Sequence, residues 1–212
     1  VFAYTVLAAQ TDTNGISIMA STAGSPTLNL NGRTLTDTAG NTAVNTYNAV
    51  ADNAGFLVDT TAPTLVSIAS SRSTFLSGQT STITFTFSED PGSTFTWNGT
   101  TGDVVVTGGT LGAISGSGLT RTALFTPTAN SSGNPIISVR SESYQDVLGN
   151  LGTSSSAPFM MYDTAAPTVT AAADSITLKA GQTTRVYFTF NEDPGTSFSW
   201  NGSVGDVLIT GA

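Results

Sequence analysis

The stretch Ser81-Thr82-Ile83-Thr84-Phe85-Thr86-Phe87-Ser88-Glu89-Asp90-Pro91-Gly92 decides how this chain is read. Ile83, Phe85 and Phe87 occupy one side of a strict alternation, and Thr82, Thr84 and Thr86 the other. Successive side chains of an extended strand point to opposite faces, so the pattern predicts a strand with one buried and one solvated face. It returns 103 positions later as Arg185-Val186-Tyr187-Phe188-Thr189-Phe190-Asn191-Glu192-Asp193-Pro194-Gly195, with Val186, Phe188 and Phe190 inward. The same alternation ending twice in the same Glu-Asp-Pro-Gly turn marks an internal repeat.

The repeat extends outward from this strand. Phe95-Thr96-Trp97-Asn98-Gly99 and Gly102-Asp103-Val104 return at the same offset as Phe198-Ser199-Trp200-Asn201-Gly202 and Gly205-Asp206-Val207. Asp59-Thr60-Thr61-Ala62-Pro63 returns as Asp163-Thr164-Ala165-Ala166-Pro167, and Asp37-Thr38-Ala39-Gly40-Asn41 is matched by Asp146-Val147-Leu148-Gly149-Asn150. Tyr4 to Ile18 aligns without a gap on Phe125 to Val139, and an insertion follows around Ser21 to Asn31. The chain therefore divides into the C-terminal half of one unit (1–60), a complete unit (61–163) and the N-terminal half of a further unit (164–212).

Within the complete unit, further strands are expected at Leu65–Ala69, Phe95–Asn98, Val104–Thr107, Thr122–Thr126, Ile136–Arg140 and Pro158–Tyr162. Short strands at such spacing, separated by turn signals, predict an all-β, immunoglobulin-like β-sandwich of about 100 residues, repeated in tandem; a barrel is the alternative. Proline in Asp-Thr-Thr-Ala-Pro holds the linker extended and short, which favours stiff joints between units.

Composition agrees. Charged residues are 9% of the chain, and the net charge is −8, with a pI near 4.1. That balance opposes binding to nucleic-acid phosphates. No apolar run is long enough for a membrane-spanning helix, so no membrane insertion is expected. Val1 to Val6 lacks the basic stretch and cleavage site of a signal peptide, and there is no initiator methionine, so the chain is expected to begin inside a longer polypeptide. Cysteine and histidine are absent, which removes disulfides, the thiol nucleophile and the usual general base. No enzyme activity is expected.

The motifs Val58-Asp59-Thr60-Thr61-Ala62-Pro63-Thr64, Phe85-Thr86-Phe87-Ser88-Glu89 and Tyr144-x-Asp146-x-x-Gly149-Asn150 resemble the bacterial Ig-like repeats of large adhesins and biofilm-associated surface proteins. The opening Tyr4-Thr5-Val6-Leu7 and Gln10 to Ile18 share the likeness, so it covers essentially the whole chain. It implies a secreted or surface-anchored rod whose partners are neighbouring repeats or identical chains, with host or cell-surface glycans met through domains outside this segment. It also implies Ca²⁺ near the junctions of some relatives. The alternative is a subunit of an extracellular filament or sheath, assembled by complementation of the two half-units at its ends.

The acidic residues recur at fixed places. Asp59, Glu89, Asp90, Asp103, Asp146, Asn150, Asp163, Glu192 and Asp193 are the candidate ligands for a structural Ca²⁺, which takes six to eight oxygens from carboxylates, amides and carbonyls. The alternative is a set of turn-capping acids on a solvated rim. Trp97 and Trp200 read either as sugar-stacking platforms or as sheet-packing residues. Asn98-Gly99-Thr100, Asn130-Ser131-Ser132 and Asn201-Gly202-Ser203 fit the glycosylation sequon.

Overall fold

The computed structural model describes residues 5–18, 33–44, 49–155 and 158–210. These form strands and turns, without helix. The N-terminal segment contributes β1 (Thr11–Asp12), β2 (Ile16–Ile18), β3 (Val50–Asn53) and β4 (Val58–Asp59), with β1 paired to β4 and β2 to β3. The central unit contributes β5 (Leu65–Ser70), β6 (Thr74–Phe75), β7 (Ser81–Phe87), β8 (Val104–Thr107), β9 (Gly109–Leu111), β10 (Thr120–Pro127), β11 (Ser132–Gly133), β12 (Ile136–Val139) and β13 (Met161–Asp163). The last segment contributes the antiparallel pair β14 (Val169–Ala173) and β15 (Val186–Phe190).

In the central unit one sheet runs β5-β7-β10-β9, and shorter sheets β11-β13-β6 and β12-β8 face it. The alternation of β7 does what its sequence predicts: Ile83, Phe85 and Phe87 are at most 2% exposed, while the intervening threonines face outward. β10 alternates in the same sense, burying Ala123 and Phe125. Val104, Ile137, Val139, Phe75 and Tyr162 from the shorter sheets complete one core with them. Burying each large apolar side chain contributes about 1.5–3 kcal/mol. Edge-on aromatic contacts fix the middle of the sandwich, with Phe95 lying 4.8 Å from Phe87 and 5.6 Å from Tyr144 between ring centroids.

Two sequence expectations differ from the structure, and three short strands were not expected. Phe95–Asn98 is not a strand: only Trp97 bridges, to Gly102, because the Asp103 carboxylate takes the Thr96 N–H that a ladder would need. A Cβ at Gly102, whose φ is +138°, would lie 2.3 Å from the Thr96 carbonyl oxygen, so the tight loop requires glycine there. The strand expected at Pro158–Tyr162 begins only at Met161 and runs to Asp163. Finally, β6, β9 and β11 are two- or three-residue strands with no alternation to read; pairing with neighbours alone defines them.

Candidate metal centre

The Asp-x-x-Gly-Asn turn after Tyr144 is built around one carboxylate. Asp146 Oδ1 accepts the N–H groups of Leu148 (2.8 Å) and Asn150 (2.9 Å), and Oδ2 accepts from Asn150 Nδ2 at 2.7 Å. Gly149 supplies the positive φ, +89°, that closes the turn. Tyr144 is buried beneath it and donates its hydroxyl to the Thr153 carbonyl at 2.9 Å. Asn150 Nδ2 also reaches the backbone carbonyl of Asp59 at 2.9 Å, so the turn grips the linker that enters the unit.

That grip brings three acids together. Asp59 of the linker, Glu89 after β7 and buried Asp146 each present a carboxylate oxygen, and these oxygens lie within 4.8 Å of one another. Burial first, and then the charges of Asp59 and Asp146, push the Glu89 carboxyl above its usual 4.5. Burial also works to raise Asp146, but the hydrogen bonds from Asn150 and Leu148 outweigh it and hold this carboxyl below its usual 3.8. Three converging carboxylates, none of them in an ion pair among the described residues, form an all-oxygen donor set of the kind hard divalent ions take.

The remaining candidates sit elsewhere. Asp90 turns away from Glu89, pairs with Arg121 at 3.0 Å and caps Gly92. Asp103 holds the Thr96–Trp97 loop. Asp163 caps the next linker through the Ala165 N–H, and Asp193 caps Gly195. Glu192, the repeat partner of Glu89, is half-buried, and its Oε1 has no hydrogen-bond partner among the described residues. Asn150 enters as a brace through its amide nitrogen. Trp97 packs on the core and donates its Nε1 to the Leu111 carbonyl at 3.1 Å, which is the sheet-packing role. Asn98 caps its own turn through Thr100 and Thr101.

Sequence reasoning passed over Arg121. It is 4% exposed and donates to Asp90, Gly92, Gly118 and Thr120. The signal was available, since an arginine occupies an inward position of the β10 alternation, where only a paired cation is tolerated.

Apolar side chains also meet at the joint. A pocket of about 220 Å³ lies between Val6, Leu57 and Val58 of the preceding segment and Leu148 of the turn. Thr60 Oγ1 donates to the Gln10 carbonyl at 3.2 Å, tying the linker back to that segment as well.

Comparison with known proteins gives one match. The family model for the bacterial Ig-like domain covers residues 59–161. No curated protein and no solved structure matches the chain. Domains of this family are typically extracellular or cell-surface structural modules, and typically non-catalytic. No helix among the described residues is long and apolar enough to cross a membrane. The two-layered strand core, the linker-gripping turn and the family match coincide on one stretch of chain, and the unit that spans residues 59–161 belongs to the bacterial Ig-like domain family.

Proposed function

We propose that this chain is part of an extended extracellular array of Ig-like units, a structural and adhesive rod of a bacterial surface, in which a bound Ca²⁺ fastens each linker to the unit it enters. One observation carries the reading: the linker's own Asp59 converges with Glu89 and Asp146 of the folded unit. An ion held there neutralises three carboxylates that repel one another and locks the angle at which the preceding segment meets the central unit. Stiffness, not catalysis, is the output. Neighbouring units are the immediate partners, and glycan contacts belong to domains outside this segment.

The energetic demand is modest. Free Ca²⁺ at ten times its Kd stabilises the bound form by about 1.4 kcal/mol, enough to rigidify a joint without creating the fold. Calorimetric titration and thermal melting, each with Ca²⁺ and with EDTA, test the site. A raised Tm in Ca²⁺ that Glu89→Gln abolishes is the expected outcome. Superimposed melting curves together with no titration heat would end the cation reading.

A further inference from the structure

Both linkers place a threonine directly after the aspartate: Thr60 in Asp59-Thr60-Thr61-Ala62-Pro63 and Thr164 in Asp163-Thr164-Ala165-Ala166-Pro167. The next position is Thr in one copy and Ala in the other, so the shared hydroxyl is the one beside the aspartate. Thr164 is 7% exposed, although it stands between two units in the sequence. Its Oγ1 lies 2.7 Å from the Thr128 carbonyl oxygen and 2.9 Å from that of Ser131, and its hydroxyl donates to one of them. Oγ1 also accepts the Ser131 N–H at 3.1 Å, and the Thr164 N–H donates to the Ser131 carbonyl at 2.9 Å. A buried hydroxyl used as donor and acceptor at once is costly to release, because water cannot take over bonds it does not reach.

The contact recurs at the first linker, where Thr60 Oγ1 donates to the carbonyl of Gln10, the repeat counterpart of Ser131. The same frame stands behind both. Thr11 pairs with Asp59 and Asp12 with Val58, as Ser132 pairs with Asp163 and Gly133 with Tyr162. The residue before the accepting carbonyl is left-handed in each copy, Ala9 at φ +63° and Asn130 at φ +53°. L residues seldom adopt that conformation, so its return marks a bend kept together with the contact. Every partner of the threonine belongs to the unit that the linker leaves. Different atoms face the unit being entered: Asn150 Nδ2 donates to the Asp59 carbonyl, the Thr153 N–H donates to the Pro63 carbonyl, and the Asp59 carboxylate meets Glu89 and Asp146.

We infer that Thr60 and Thr164 are positioning residues, ion-independent fasteners that make the Asp-Thr start of each linker part of the unit the linker leaves. The joint then has two unlike halves. On the leaving side a hydroxyl with backbone partners holds the chain whatever the cation concentration. On the entering side carboxylates that repel one another respond to the cation. Withdrawing the ion therefore loosens the entering side alone, and the bend falls between the threonine and the first strand of the next unit. That consequence rests on the calcium reading; the fastening itself does not, and it is measured in EDTA.

The 212-residue chain has no cysteine, so two introduced cysteines carry the only spin labels. Leu124→Cys, at an exposed position of β10, marks the central unit, and Ala166→Cys, also exposed, marks the linker just past Thr164. Pulsed electron–electron distance measurements follow this pair in EDTA and in Ca²⁺. They are repeated with Thr164→Val, which exchanges the hydroxyl for a methyl, and with Thr164→Ser, which keeps the hydroxyl. The parent is expected to give a narrow distance distribution of the same width with and without Ca²⁺. Thr164→Val should broaden it and Thr164→Ser should restore it. A parent distribution that is broad in EDTA and narrows only on adding Ca²⁺, or a Thr164→Val distribution as narrow as the parent's, would overturn the inference. The parent measurement decides alone if Thr164→Val does not fold. A flat calcium titration beside a narrow parent distribution would end the calcium reading and leave the fastener standing.

Discussion

Residues 81–107 of the central unit and residues 184–210 of the last segment are nearly the same piece of chain in two settings. Locally they match. Phe85 and Phe87 meet Phe95 at 5.5 and 4.8 Å, and Phe188 and Phe190 meet Phe198 at 5.3 and 4.9 Å. Asp103 accepts the Thr96 N–H, and Asp206 accepts the Ser199 N–H. Gly92 and Gly195 share a φ of +58°, and a Cβ at Gly102 or Gly205 would strike a carbonyl oxygen at the same 2.3 Å. Burial separates them. Phe85 is fully enclosed and Phe188 is not; Trp97 reaches the Leu111 carbonyl, whereas Trp200 is 37% exposed. Turns and hairpins are properties of short sequence, while a core requires the facing sheet.

The sharpest way to break this comparison is to shorten the same side chain in both settings. Phe85→Ala removes a ring closed in by both sheets and should cost about 3–5 kcal/mol of the central unit's stability. Phe188→Ala, in the same 212-residue chain, should leave that transition within about 0.5 kcal/mol. Denaturant melts of the two variants decide it, and equal losses would mean that Phe188 is as enclosed as Phe85.

A smaller effect separates the two copies of the Asp-x-x-Gly-Asn turn. Asp146→Ala leaves two N–H groups and the Asn150 amide without their acceptor in a buried setting, and a loss of about 2 kcal/mol is expected. Asp37 makes the same bonds in the open, where water replaces them, so Asp37→Ala should not move the central transition. The carboxyl of Asp146 is depressed in the fold, so its contribution is present above the unfolded value of 3.8 and is lost as pH falls through the lower folded value. The gap between parent and Asp146→Asn should therefore narrow only below about pH 4.

The smallest effect has the opposite sign. Glu89 is raised above 4.5, so in EDTA its ionised form costs stability at neutral pH, and that cost is relieved as pH falls through the raised value. Glu89→Gln should accordingly raise Tm slightly at neutral pH in EDTA and lose that advantage near pH 4. A lower Tm for Glu89→Gln at neutral pH would show that the carboxylate is held by favourable contacts instead of crowded by its neighbours.

Much of this architecture was legible in the chain because it depends on nearest neighbours. The alternation of Ser81–Phe87 specified which residues face inward, and the Asp146 turn could be read from its Asp, Gly and Asn. Phe95–Asn98 misled because an aromatic-rich stretch resembles a strand, whereas Asp103, seven positions on, diverts its N–H. Of the nine acid and amide candidates, the repeat supplied all the positions but not the grouping. Asp59 and Asp146 are far apart in sequence and meet where Asn150 and Thr153 hydrogen-bond the linker carbonyls of Asp59 and Pro63.

The sequence by itself determined the strand period, the turns and the recurrence of units, since backbone sterics and side-chain alternation act over a few residues. Only the tertiary structure decided which copies of that pattern are enclosed, and which of the recurring acids converge. Burial and charge proximity depend on the surface that lies opposite, and no local rule names that surface.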